Sequence, residues 1–91
     1  MTVYLITYDL NKSDKNYEGL HNEIVKLSNN NWCKPLKSVY LIRSSLSSQS
    51  ISEQIMNVID KNDYLLVIEV KNNKYGWLTQ QMWDYINQYL F

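Results

Sequence analysis

The chain opens with Met1-Thr-Val-Tyr-Leu-Ile-Thr-Tyr-Asp9-Leu10, and this stretch decides the fold. From Val3 to Tyr8 the side chains are apolar, aromatic or β-branched, without glycine or proline, which is typical of a buried β-strand. The strand ends in Asp9, the first acidic residue of the chain. A carboxylate at the end of a central strand is well placed for chemistry, but it can equally cap a turn over the polar residues 11–14. The residues alone are compatible with both interpretations of Asp9, a chemical role and a turn cap.

Length and composition predict one domain over residues 1–91 with a small core. Nine Lys plus Arg balance nine Asp plus Glu, so the net charge is zero. Proteins that rely on phosphate contacts usually carry a positive excess, and a nucleic-acid partner would therefore need a local basic patch. The single cysteine, Cys33, excludes an internal disulfide and a cysteine-based zinc cluster.

The expected cellular location depends on whether the sequence contains a membrane span or a signal peptide. No apolar run approaches the roughly 20 residues that a membrane span requires. The predicted first strand begins at the first residues of the chain, so we expect no signal peptide ahead of it. We therefore expect a cytoplasmic protein without a membrane partner.

Hydrophobic spacing predicts the remaining elements. Apolar residues three and four apart predict a helix over 16–28. An extended segment is predicted over 32–36, and alternating side chains predict a strand over 37–43. These two pieces could form a hairpin or one bent strand. A capping box at Ser50 and Glu53 predicts the start of a second helix that runs to Ile59. Residues 64–70 form the most buried-looking strand. His21 lies beside the apolar stripe of the first helix and is predicted to be a partly exposed surface residue.

The order of these elements predicts an α+β fold, a ferredoxin-like βαββαβ sandwich with an extra C-terminal helix. Residues 1–70 would form the core and residues 75–91 the helix. Eight Tyr, three Trp and one Phe are many for this length, and aromatic side chains anchor protein interfaces. The large side chains of the last helix predict a homodimer, or a protein partner, that contacts Trp77, Trp83, Tyr85 and Tyr89.

Short motifs of the chain resemble a known family. Tyr8-Asp9 at the end of the first strand and Ser38-Val39-Tyr40 in the second resemble the small CRISPR-associated protein of the spacer-acquisition complex. A closer resemblance, which adds Tyr75-Gly76-Trp77, is to its uncharacterised relatives, the SinR family. The virulence-associated ribonuclease toxins of similar size share the same fold. The resemblance implies a ferredoxin-like homodimer with a role in defence.

The resemblance also implies a site. Many members of the family are metal-dependent nucleases, and Asp9 falls on their strand-end aspartate, which would make it both the catalytic and the metal-binding residue. Two such carboxylates, one from each subunit, together with water and phosphate oxygens, would hold Mg²⁺ or Mn²⁺. The implied motif residues are Tyr8, Ser38 and Tyr40. Lys34, Lys37 and Arg43 are the candidates for contacts with RNA or DNA phosphates.

Three functions therefore follow from the sequence. The zero net charge and the aromatic last helix favour a non-catalytic interaction module, and the family resemblance adds a nucleic-acid-associated module. An alternative is a divalent-metal-dependent endoribonuclease that uses the paired Asp9 carboxylates. A second alternative is a nucleotide-binding protein with the ligand in the dimer groove, where Tyr8, Tyr40 and Trp77 would stack on the base and Asp9 would accept a hydrogen bond from the ribose.

Overall fold

The computed structural model describes residues 1–11 and 17–91, which form one four-stranded antiparallel sheet with helices packed on it. The turn predicted over 11–14 and the predicted helix start at residue 16 lie largely outside these residues. The strands are β1 (Thr2–Asp9), β2 (Trp32–Leu36), β3 (Val39–Ser44) and β4 (Tyr64–Val70). The helices are α1 (Tyr17–Leu27), α2 (Ser48–Met56) and α3 (Gln80–Tyr85), and α3 continues as a π-helical segment over Ile86–Leu90. The predicted α+β class is confirmed.

The strand order is β2-β3-β1-β4, so the opening stretch of the chain is a central strand. Tyr4 lies opposite Ile42 of β3 and Glu69 of β4, and Ile6 lies opposite Tyr40 and Val67. Because successive side chains of a strand point to opposite faces, Tyr4, Ile6 and Tyr8 share one face of the sheet. Both helices α1 and α2 cover that face, which we call the helical face.

The main core lies between the helical face and these two helices. Its fully buried members are Ile6, Leu20, Ile24, Ile42, Ile51 and Ile55. The apolar stripe of α1 is buried as its spacing predicts, and each such side chain contributes about 1.5–3 kcal/mol through burial. This packing fixes the rotation of α1, and therefore which of its residues lie over the end of the sheet.

A second, smaller core lies on the other face of the sheet, which we call the open face. There the C-terminal helical segment packs Ile86 and Leu90 against Val3 and Cys33. It covers only the end of the sheet where β1 begins. The rest of the open face carries exposed apolar side chains of β4, namely Tyr64, Leu66 and Ile68.

Two predictions about the strands are corrected by the structure. β4 is an edge strand with β1 as its one neighbour, and it is not the most buried strand of the sheet. Its apolar residues indicated burial on both faces, but no element of the described chain covers the middle of its open face. The two extended segments 32–36 and 39–44 form a hairpin, and the second strand begins at Val39 rather than at residue 37.

Two helix starts also differ from the prediction. Ser47 caps α2, because its side chain accepts a hydrogen bond from the Ser50 backbone amide, so the helix begins before the predicted capping box and ends at Met56. The last helix begins at Gln80, after the cap residue Thr79, and not at residue 75 or Trp77. The serine-rich and polar stretches offer several possible caps, and tertiary packing selects among them. No helix among residues 1–11 and 17–91 combines the length and apolar character needed to cross a membrane.

Candidate functional site

A cleft of about 520 Å³ lies between α1 and the end of the sheet where the β2–β3 hairpin turns. We call it the α1–β3 cleft. Its walls are formed by Tyr8, Tyr17, Glu18, His21, Lys34, Lys37, Ser38 and Tyr40. Five of these residues are site candidates from the sequence: Tyr8, Lys34, Lys37, Ser38 and Tyr40. The structure therefore brings the predicted motif residues and two of the three predicted phosphate-binding residues into one place.

The fold dictates this convergence. Tyr40 lies opposite Ile6 in the sheet, and Tyr8 is the next β1 residue on the helical face, so their rings are neighbours with centroids 6.3 Å apart. Residues 34, 37 and 38 come from the end of the hairpin that precedes Tyr40 in β3. Neither group is close in sequence to α1, whose residues close the cleft from above.

His21 is held in the cleft by two specific contacts. Its Nδ1 lies 2.7 Å from the hydroxyl oxygen of Tyr40. Its ring meets the ring of Trp32 edge to face, with centroids 4.9 Å apart and an angle of 85° between the planes. His21 is partly exposed, as the helical pattern predicts, and its ring is also packed and hydrogen-bonded, which restricts it to one orientation.

Burial keeps the phenol groups of the cleft protonated. Tyr40 is only 3% exposed, and burial, reinforced by the neighbouring Tyr8, raises the pKa of Tyr40 from 10.0 to about 12. Burial also raises the pKa of Tyr8, with a smaller effect from Tyr17. Both hydroxyls are therefore neutral at physiological pH, and they act as hydrogen-bond donors and acceptors rather than as anions.

Two lysines supply positive charge at the cleft. The Lys34 Nζ lies 5.7 Å from the centroid of the Tyr40 ring and donates hydrogen bonds to the carbonyl oxygens of Leu36, at 3.4 Å, and of Lys37. Lys37 is exposed in the hairpin turn. Neither ammonium group forms an ion pair with a carboxylate in the part of the chain that the structure describes. Both can therefore bind an external anion, and Glu18 is the one acidic residue among the described residues of the cleft wall.

Asp9 and Arg43 do not lie in this cleft. Alternation along β1 places Asp9 on the open face, opposite Tyr64 of β4, where it is exposed and lines a shallow depression of about 220 Å³. Arg43 lies near the other end of β3, opposite Val3, also on the open face. The sequence grouped these residues with Lys34 and Lys37, but the sheet separates them.

The metal-binding role of Asp9 has little support within one chain. Among residues 1–11 and 17–91, no three His, Cys, Asp or Glu side chains are close enough together to hold an ion. Mg²⁺ takes six oxygen ligands and usually one or two carboxylates. A single exposed carboxylate does not fit such a site unless a second chain contributes its own.

The predicted interface residues of the C-terminal region fall into two groups. Trp83 and Tyr85 pack on the second core of their own chain, and the Tyr85 hydroxyl accepts a hydrogen bond of 3.0 Å from the Trp32 backbone amide. Trp77 is 98% exposed in the segment before α3, and Tyr89 is partly exposed. The surface open to a partner therefore includes Trp77 and Tyr89, whereas Trp83 and Tyr85 already serve the fold.

Sequence reasoning did not include Tyr17, Glu18 and His21 in a site. One signal was available, because Tyr17 and His21 are four residues apart and so lie on the same face of α1. Which strand residues that face would meet depends on how the helix packs. The resulting class of protein is a small α+β domain with an antiparallel sheet and, at the end of that sheet, a cleft rich in aromatic and basic residues. Comparison with protein-family models, with curated proteins and with solved structures finds no match for this chain.

Proposed function

We propose that this chain is a nucleic-acid-associated module that binds single-stranded RNA in the α1–β3 cleft and acts as a homodimer. The observation that carries the proposal is the convergence of Lys34 and Lys37 with the tyrosines and His21 in one cleft. Lysines bind phosphate oxygens, and aromatic rings stack on unpaired bases. The cleft is within the usual size range for small-ligand sites, which suits one or two nucleotides.

Exposed aromatic surface supports a single-stranded ligand. Tyr17 is 49% exposed at the cleft wall, so its ring can stack on a base, whereas the buried Tyr40 ring cannot. This distribution differs from the predicted stacking trio of Tyr8, Tyr40 and Trp77, because Trp77 does not line the cleft. Bases in a duplex are already stacked on each other and are not available to such a ring.

The fold itself is proposed to be ferredoxin-like. The sheet order β2-β3-β1-β4, with every neighbouring pair antiparallel, supports this assignment. So do the positions of α1 after β1 and α2 after β3, since both helices pack on the same face. In this arrangement the open face stays available for another chain.

A second copy is the proposed partner of the open face. Tyr64, Leu66 and Ile68 form an exposed apolar row along β4, and the exposed Asp9 lies at its end. If this row packed against the same row of a second chain, the two chains would be related by a two-fold axis. Each residue would then contact its counterpart or a near neighbour. An exposed apolar row of this kind suits self-association.

Binding is tested with fluorescently labelled single-stranded RNA in an anisotropy titration at several salt concentrations. We expect Lys34→Ala with Lys37→Ala to weaken binding at least tenfold, and to lower the slope of log affinity against log salt by about 1.4, since each phosphate contact contributes about 0.7. The matched control is Lys61→Ala with Lys71→Ala, which also removes two exposed lysines. Equal weakening in both double variants would mean that general charge, and not the cleft, binds RNA.

A metal-dependent endoribonuclease is a second candidate, favoured by the position of Asp9 on the proposed dimer face. Two copies of Asp9 would then be brought toward one axis, where together they could hold Mg²⁺ or Mn²⁺. Calorimetric titration of each ion into wild-type protein and into Asp9→Asn tests it. Binding of one ion per two chains that disappears in Asp9→Asn would support this candidate, and no heat in the wild type would eliminate it.

A further inference from the structure

We infer that the α1–β3 cleft cleaves RNA without a metal ion, with His21 as the general base and Tyr40 as the residue that orients it. The inference rests on the proposed binding of single-stranded RNA in the same cleft. It assigns RNA cleavage to His21 and Tyr40. This reaction would not use Asp9 or a divalent ion.

The geometry of His21 is what a general base requires. Histidine is the side chain that most often performs this role, and its ring must be fixed relative to the reacting group. Trp32 and Tyr40 hold the ring from two directions, through the edge-to-face contact of 4.9 Å and the hydrogen bond of 2.7 Å. His21 also lies within a helix that is anchored by the buried Leu20 and Ile24.

In the proposed mechanism Nε2 of His21 is the base, with Nδ1 hydrogen-bonded to the Tyr40 hydroxyl. When Nδ1–H of His21 donates its hydrogen bond to the Tyr40 oxygen, Nε2 carries the free lone pair and can accept a proton. The phenol stays neutral because it is buried, so it positions the imidazole without competing for the proton. Tyr40 is a positioning residue in this scheme, and His21 is the catalytic residue.

The proposed reaction is an internal transfer at a phosphodiester. Nε2 of His21 takes the proton of the ribose 2′-hydroxyl, and the 2′-oxygen forms a bond to phosphorus. The bond from phosphorus to the 5′-oxygen of the next nucleotide breaks, and that oxygen takes a proton from solvent at the cleft mouth. His21 then returns its proton to solvent. The products are a 2′,3′-cyclic phosphate and a free 5′-hydroxyl, and no water is consumed.

The lysines stabilise the charge that builds up during this transfer. The non-bridging oxygens of the phosphate become more negative in the transition state, and fixed cations lower its free energy. Lys34 of β2 is already near the Tyr40 ring, 5.7 Å from its centroid, and Lys37 lies in the turn that follows β2. Because the nucleophile is the 2′-hydroxyl, the reaction is confined to RNA.

The test incubates a short 5′-labelled single-stranded RNA with the full chain in excess EDTA, and compares it with the same RNA carrying one 2′-deoxyribose at the cleaved position. We expect cleavage that ends in a 2′,3′-cyclic phosphate and that stops at the deoxyribose. His21→Gln should lower kcat about 100-fold or more while RNA affinity is retained. Tyr40→Phe should lower kcat with KM unchanged, which a merely structural loss would not produce.

Three results would overturn the inference and leave the proposed binding intact. One is an RNA that binds to the wild type but is not cleaved in EDTA. Another is cleavage by His21→Gln, purified in parallel, at the wild-type rate. Cleavage that requires Mn²⁺ and is lost in Asp9→Asn would also overturn it in favour of the metal site. Failure of the wild type to bind RNA at all would remove both the inference and the proposed function.

Discussion

His21 Nδ1 lies 2.7 Å from the Tyr40 hydroxyl, and this contact joins α1 to β3 in the α1–β3 cleft, where aromatic and basic side chains meet. Tyr40 is buried, and among residues 1–11 and 17–91 the partner that its hydroxyl contacts is the His21 imidazole. The contact therefore links the stability of the fold to the arrangement of the proposed site.

Removing the hydroxyl tests this link. Tyr40→Phe should lower the free energy of unfolding by about 1 kcal/mol, because it removes one hydrogen bond and leaves a ring nitrogen without its partner. His21→Gln alone and the double variant complete a double-mutant cycle, measured by urea denaturation. We expect a coupling energy of about 0.5 kcal/mol or more between the two positions. Additive effects would show that the two side chains do not interact in solution.

The raised pKa of Tyr40 predicts a loss of stability at alkaline pH. The unfolded phenol ionises near its ordinary pKa of 10.0, whereas the folded one ionises near 12. Between these values the unfolded state has lost its proton and the folded state still holds it, so the free energy of unfolding falls by about 1.4 kcal/mol per pH unit. The stabilisation from Tyr40 is therefore complete only below pH 10.

Tyr40→Phe supplies the control for that pH dependence, because the variant keeps every other titrating group, including Cys33. Denaturation midpoints measured on both sides of pH 10 should show the wild type losing its stability advantage over the variant as the pH rises. If the difference between the two proteins were the same throughout, Tyr40 would not be the group that titrates with a raised pKa.

The open face predicts self-association through Leu66. This side chain is 54% exposed on β4, and a lysine there would place a charge in the proposed dimer contact. We expect Leu66→Lys to halve the mass measured by light scattering. Met56→Lys is the matched control, because Met56 is 58% exposed on α2, the helix that packs on the helical face. A monomeric wild type would contradict the proposed dimer directly.

The tryptophans of the C-terminal region should behave differently from each other. Trp83→Ala removes a side chain packed on the second core and should lower the free energy of unfolding by about 2 kcal/mol. Trp77→Ala should change it by less than about 0.5 kcal/mol, because its ring is almost fully exposed. Urea denaturation of both variants measures the difference. A large loss in Trp77→Ala would mean that this ring is buried, for example against a second chain.

The sequence alone determined the secondary-structure types and the α+β class. The run from Val3 to Tyr8 predicts the central strand, and the spacing of Leu20, Ile24 and Leu27 predicts the buried side of α1. Both signals are local, since the alternation of a strand and the period of a helix are set by backbone geometry within a few residues. Exact helix starts were less certain, because several serines and threonines can serve as caps.

The membership of the site was decided only by the tertiary structure. Asp9 and Tyr8 are adjacent in sequence, yet the pleat of β1 sends them to opposite faces, so one lies on the open face and the other in the cleft. His21 and Tyr40 are nineteen residues apart and meet because α1 packs across the sheet. The exposure of β4 could likewise not be predicted from its apolar sequence. Burial and proximity depend on which elements cover one another, and that is a property of the whole packed chain.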